Sequence, residues 1–80
     1  MRLDKYLKVS RIIKRRTVAN EVCDAGKVSV SGRVVKASYE VKEGDILEIT
    51  FGERVTKYKV LTVTEYATKQ SASEMYEEIK

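Results

Sequence analysis

Histidine, tryptophan and proline are absent from this chain of 80 residues, and cysteine occurs once. Each absence closes a class of function. Without His there is no imidazole to move protons near neutral pH and no His-containing zinc site, and a single thiol excludes an intramolecular disulfide or a dithiol redox centre. No cofactor or metal is expected. The sequence has no run of about 18 apolar residues, and its N-terminus turns charged at once in Met1-Arg2-Leu3-Asp4, so a cytoplasmic protein with no membrane partner is expected. Cys23 then reads as a small packing residue in a reducing compartment. A chain this short predicts one thin-cored domain, monomeric, with no appended catalytic lobe.

What is abundant is charge, and it is unevenly placed. Residues 1–36 hold ten Lys or Arg against three Asp or Glu, a local +7, whereas residues 37–80 hold six against nine, or −3. Seven of the basic residues precede position 17 and are opposed there only by Asp4. Four of the seven are Arg, whose planar fork matches phosphate geometry better than a lysine point charge does. Such a field faces a polyanion, although a merely solvated helix face accounts for charge density alone.

Apolar spacing locates the elements. At about 100° per residue, residues 2–16 gather Leu3, Tyr6, Leu7, Ser10 and Ile13 on one arc and Arg2, Lys5, Lys8 and Arg16 opposite, which predicts an amphipathic helix with a basic face. Asp4 in its first turn suits the helix dipole and stands four residues before Lys8, the spacing of an ion pair. Thr17 reads as the N-cap of a second helix, with Val18, Ala19, Val22, Cys23 and Ala25 at helical spacing and Gly26 as its stop. After Gly26 the period becomes two. Val28-Ser29-Val30, a Ser31-Gly32 turn and Val34-Val35 predict a hairpin, and Ile46–Phe51 and Val55–Thr64 predict further strands. Met75, Tyr76 and Ile79 fit a closing helical turn. The expected fold is α+β: two short N-terminal helices packed on a small, mostly antiparallel β-sheet, with a short C-terminal helical tail. Residues 1–65 form the expected domain, and 66–80 a polar linker and tail that is mobile or ordered by a partner.

Four pieces of sequence stand in a telling order: Arg2-Leu3-Asp4-Lys5-x-Leu7, Arg16-x-x-Ala19, Gly26-Lys27-Val28-x-Val30-x-Gly32 and Val41-x-x-Gly44-Asp45. Together they resemble the RNA-binding domain named from small-subunit ribosomal protein S-four, with its αL RNA-binding motif, over residues 2 to 50. Among freestanding members, the chain is similar to the heat-shock-protein-fifteen type and more so to a ribosome quality-control type, through Leu7–Arg11, Ile13–Thr17 and Met75-Tyr76. The resemblance implies a non-catalytic protein that binds large ribosomal subunit RNA and peptidyl-tRNA and assists alanine tailing with an RqcH-like tailing factor. Two positions depart from the family pattern: Ser31 stands where Asn is common in the hairpin turn, and Ala37 where Pro is common. They leave the turn geometry open, not the binding mode.

The candidate RNA-binding residues are Arg2, Lys5, Lys8, Arg11, Lys14, Arg15, Arg16, Thr17 and Asn20. Arg16 leads, because a guanidinium at the start of a helix sits beside unpaired N–H groups and the positive end of a dipole, all favourable to phosphate. Thr17 competes for one of those N–H groups through its hydroxyl. Arg2, Lys5 and Lys8 are assigned phosphates, and Arg11, Lys14 and Arg15 extend the strip. Asn20 is placed to bond a 2′-hydroxyl or a base edge. Tyr6 is assigned to the core, and Tyr66 has no role legible in its context. The reading requires cations that point outward together instead of being locked onto carboxylates.

Other functions remain open on the sequence. The acidic second half and the Met75-Tyr76-Ile79 tail suit a protein-interaction adaptor, and a general RNA-binding or ribosome-assembly factor needs no quality-control role. A self-contained enzyme lacks a base–nucleophile pair. A DNA-reading helix-turn-helix is disfavoured, since the second helix is short and not basic.

Overall fold

The first helix stops well before its apolar arc does. In the computed structural model, which describes residues 1–79, α1 spans Leu3–Val9 and α2 spans Arg16–Asp24. Between them the chain reverses through Arg11, whose φ is 65°. The early stop has a packing cause: the Ile13 N–H reaches back to the Leu7 carbonyl at 3.0 Å, and the Ile13 side chain is buried. A straight helix to residue 16 would carry Ile13 away from that position. Val9 and Ile12, which fall within the basic arc, pack half-buried against the core.

Thr17 is not the N-cap of α2. The cap position is Arg15, in extended backbone and with no side-chain capping bond, so Arg16 is the first helical residue and Thr17 lies inside the helix. The C-terminal stop is as the sequence predicts. Gly26, at φ 77°, donates to the Cys23 carbonyl at 3.0 Å, and the Lys27 N–H bonds the Val22 carbonyl at 3.2 Å, the paired arrangement of a Schellman ending.

Five strands follow, all antiparallel: β1 Val28–Val30, β2 Arg33–Val34, β3 Ile46–Phe51, β4 Arg54–Val60 and β5 Tyr76–Ile79, in spatial order β2-β1-β3-β4-β5. A one-turn helix, α3 Lys69–Ala72, precedes β5. The β1–β2 loop is Ser31-Gly32, with φ 52° and 82°, so both central residues are left-handed as a two-residue hairpin requires. Ser31 therefore adopts the conformation that Asn favours, and the departure at this position does not alter the turn.

Alternation decides which side of the sheet meets the helices. Val28 lies across from Ile49, and Val30 across from Leu47, all four buried. Leu3, Tyr6 and Leu7 of α1 and Ala19 and Cys23 of α2 close over them. The Cys23 thiol is buried and its pKa is pushed up to about 11, chiefly by burial and then by the Asp4 and Asp24 charges, so it stays protonated as a packing group. No helix among the described residues is long and apolar enough to cross a membrane.

The tail differs from the expected helical turn at Met75, Tyr76 and Ile79. The helical turn lies earlier, at α3, and Tyr76–Ile79 is a strand. Two features favour the strand. The open edge of β4 offers a ladder, in which Val60 pairs with Tyr76 and Lys57 with Ile79, and Tyr76 meets Tyr58 edge to face at 5.3 Å between ring centroids. Met75 is fully buried and its carbonyl accepts the Tyr6 hydroxyl at 2.8 Å, tying the tail to α1. Met75 thus belongs to the core, and Tyr76–Ile79 forms a largely exposed edge strand.

Met75→Ala is expected to cost about 2–4 kcal/mol through the cavity it leaves, and Tyr6→Phe about 1 kcal/mol for the lost bond. Equilibrium denaturation of both variants checks this, with no change if the tail contributes nothing to the fold.

Candidate nucleic-acid interface

The extended N-terminus sets where the basic residues stand. Its backbone is held by residues 37–41: Leu3 N–H to the Tyr39 carbonyl at 2.8 Å, Asp4 N–H to the Ala37 carbonyl at 3.2 Å, and Val41 N–H to the Met1 carbonyl at 2.9 Å. The terminal ammonium adds an ion pair with Glu40 at 3.0 Å. Ala37, where proline is common, is buried and supplies one of these carbonyls, a role that proline also permits. Arg2 is consequently fixed at the N-cap of α1, and α1 is oriented on the sheet.

Asp4 organises the site, and not through Lys8. Its side chain is 3% exposed and faces α2. Oδ1 accepts the Lys5 N–H at 2.8 Å and Arg2 Nε at 3.2 Å. Oδ2 accepts Asn20 Nδ2 at 3.2 Å and lies 3.4 Å from Arg16 Nε. Burial by itself raises the pKa of this carboxyl, but the bonds from Asn20 and Lys5 and the Arg16 charge outweigh it and hold the group below its ordinary 3.8. Asp4 is therefore ionised throughout the physiological range.

Two guanidiniums are thus placed side by side by one carboxylate. The sequence predicts cations pointing outward and free of carboxylates, yet Arg2 and Arg16 both meet Asp4. The contact positions them without neutralising them, since two positive charges face one negative charge. Their side chains remain 50% and 47% exposed. Thr17, Asn20 and Glu21 complete a shallow depression beside Arg16 of about 400 Å³. Asn20 donates one amide N–H to Asp4, which leaves its side-chain carbonyl and second N–H without a hydrogen bond among the described residues.

The other basic candidates divide. Lys8, Arg11 and Lys14 line a separate groove beyond the C-terminal end of α1. Lys5 lies between the two groups and pairs with Glu65 at 3.3 Å, a half-exposed contact of small energetic weight. Arg15 is exposed and lines neither depression. Among the described residues no cluster of three metal-ligating side chains occurs. Asp4 is marked in the sequence as the sole acid among the first 17 residues.

The S4 domain family matches this chain over residues 1–47, the stretch that carries α1, α2, the hairpin and the start of β3. The chain belongs to the S4 domain family. It is 53% identical over 77 residues to an RQC P-site tRNA stabilizing factor of Halalkalibacterium halodurans, covering 96% of this chain and 88% of that one. The protein of the same description from Bacillus subtilis is 48% identical over 80 residues, covering 100% of this chain and 93% of its own. Among solved structures, heat shock protein 15 of Vibrio cholerae, reported as a trimer, superposes with a TM-score of 0.89 at 26% identity, over 99% of this chain and 81% of that one. The S4 match begins with the Arg2–Asp4 segment and includes Arg16 and Asn20, so the carboxylate-centred cluster lies wholly within it.

The pH dependence of this S4 domain follows from Asp4. A carboxyl whose pKa is lower folded than unfolded contributes stability above its unfolded value and loses that contribution as pH falls through the folded one. Asp4→Asn is expected to lower stability at pH 7 by about 1–3 kcal/mol, the weight of hydrogen bonds to a charged group. The difference from wild type should close as pH drops below 3.8. Denaturant titrations at neutral and acid pH measure both; a gap that is constant with pH contradicts the assignment.

Proposed function

We propose that the protein is a non-catalytic RNA-binding factor that grips ribosomal RNA and tRNA on the large ribosomal subunit. In this reading it acts as a monomer in quality control of stalled nascent chains, supporting alanine tailing by an RqcH-like factor on subunits obstructed by peptidyl-tRNA. One observation carries it: Arg2 and Arg16, drawn from different elements, are set together by a buried, ionised Asp4 with half of each side chain outward. Structured RNA presents phosphates and 2′-hydroxyls at fixed spacing, and a surface that matches it needs cations at fixed spacing too. The names of the similar proteins, which refer to P-site tRNA, support the choice of RNA.

The experiment is co-sedimentation with large subunits that carry peptidyl-tRNA, set against free subunits and intact ribosomes. Preferential travel with the obstructed subunits is expected, and equal travel with all three would leave general RNA binding in its place. Affinity for a ribosomal RNA fragment should fall with salt by roughly 0.7–0.9 log units per log salt for each phosphate neutralised. Arg2→Ala and Arg16→Ala should each weaken binding about tenfold, the weight of a charge-assisted bond. Arg16→Lys should recover only part of it, since the fork is lost. Lys57→Ala and Lys59→Ala, exposed on β4, are the controls. An equal loss in the controls contradicts a localised site.

A further inference from the structure

Lys8, Arg11 and Lys14 form one wall of a groove of about 780 Å³ whose other wall is the connection from β4 to α3, with Tyr66 and Lys69. That second wall lies beyond residue 47, outside the S4 match. Glu65 is the one acid among the lining residues and is already engaged by Lys5. The groove is therefore strongly positive and presents an aromatic ring.

Tyr66 is 89% exposed, yet its backbone is held. Its N–H donates to Thr64 Oγ1 at 3.4 Å, and the Thr64 hydroxyl donates to the Tyr66 carbonyl at 3.3 Å. Two residues on, Thr68 and Ser71 cap α3 reciprocally, with the Thr68 N–H on Ser71 Oγ at 2.8 Å and the Ser71 N–H on Thr68 Oγ1 at 3.1 Å. An exposed ring beside cations offers a π-face on which a base can stack. On the facing wall, Arg11 occupies the left-handed region at φ 65°, where glycine or asparagine fits with less strain. Backbone geometry does not call for arginine there.

We propose that this groove takes one unpaired nucleotide of an RNA stem-loop whose stem lies on the Arg2–Arg16 pair, with the base stacked on Tyr66 and the flanking phosphates met by Lys8, Arg11 and Lys14. The proposal rests on the RNA-binding reading above and names what part of the RNA is bound. Continuity supports it: α1 has seven residues, so its two ends are about 10 Å apart, and one RNA spans both sites. An acidic protein segment would satisfy the cations but leave the ring unused, whereas unpaired nucleotides supply both a flat π-face and phosphate.

The test uses the full chain, an RNA stem-loop carrying 2-aminopurine in its loop, and the same stem as a blunt duplex. Tyr66→Ala is expected to weaken stem-loop binding about tenfold and to abolish the fluorescence change of the loop base. Tyr66→Phe should behave as wild type, and neither variant should alter affinity for the duplex. Arg11→Gly should also weaken stem-loop binding although its Tm does not fall. Wild-type affinity of Tyr66→Ala for the stem-loop, or an equal loss on the duplex, overturns the groove assignment. If Arg16→Ala still weakens both RNAs in that case, the RNA-binding function stands without it. Displacement of an acidic peptide by Tyr66→Ala with no change on the stem-loop also overturns it.

Discussion

A buried carboxylate that serves two arginines is the constraint from which the RNA-facing geometry descends. Charges of like sign about 4 Å apart repel by about 1 kcal/mol in water and several-fold more at the lower effective dielectric of a protein surface. An anion shared by two guanidiniums offsets that repulsion. Asp4 is that anion, and burial against α2 keeps it from exchanging partners with solvent. Its cost, the removal of a charged group from water, is offset by bonds from a backbone amide, an asparagine and the two arginines. The three-residue ion cluster carries one net positive charge, with the Glu21 carboxylate lining the depression beside Arg16.

That ordering is inherited from the fold. Residues 37–41 hold the backbone of Met1 to Asp4, which places Arg2. The reversal at Arg11 and the anchoring of Ile13 set the relation of α1 to α2, which places Arg16 and Asn20. The tail completes the support from the far side, through Met75 beneath Tyr6. The tail is thereby tied to the helix whose N-cap is Arg2.

The helix pair, the α2 stop and the hairpin were legible in the sequence because each has a local cause: helical spacing of apolar residues, Gly26 at a left-handed ending, and Ser31-Gly32 between alternating strands. Membership of the S4 family was legible in the pieces around Arg2, Arg16, Gly26 and Gly44. The tail was not. Met75, Tyr76 and Ile79 are too few to separate a helical from an extended period, and the free edge of β4, a long-range feature, decides between them. The partner of Asp4 was hidden for a related reason. Sequence offers Lys8 at i+4, but Asp4 turns toward α2, and the Asn20 and Arg16 that meet it are brought there only by the packed helix pair. Tyr66 carries no pattern at all, since exposure of one aromatic is a property of the finished surface.

The two basic regions differ in kind, and the difference sets what each can discriminate. Around Asp4 the two arginines share one buried carboxylate, which ties their guanidiniums to the packed helix pair while half of each side chain stays outward. Lys8 and Lys14, exposed and without a carboxylate partner among the described residues, line the separate groove beyond the end of α1. One short helix joins the two regions, with Arg2 at the N-cap of α1 and Lys8 in its last turn.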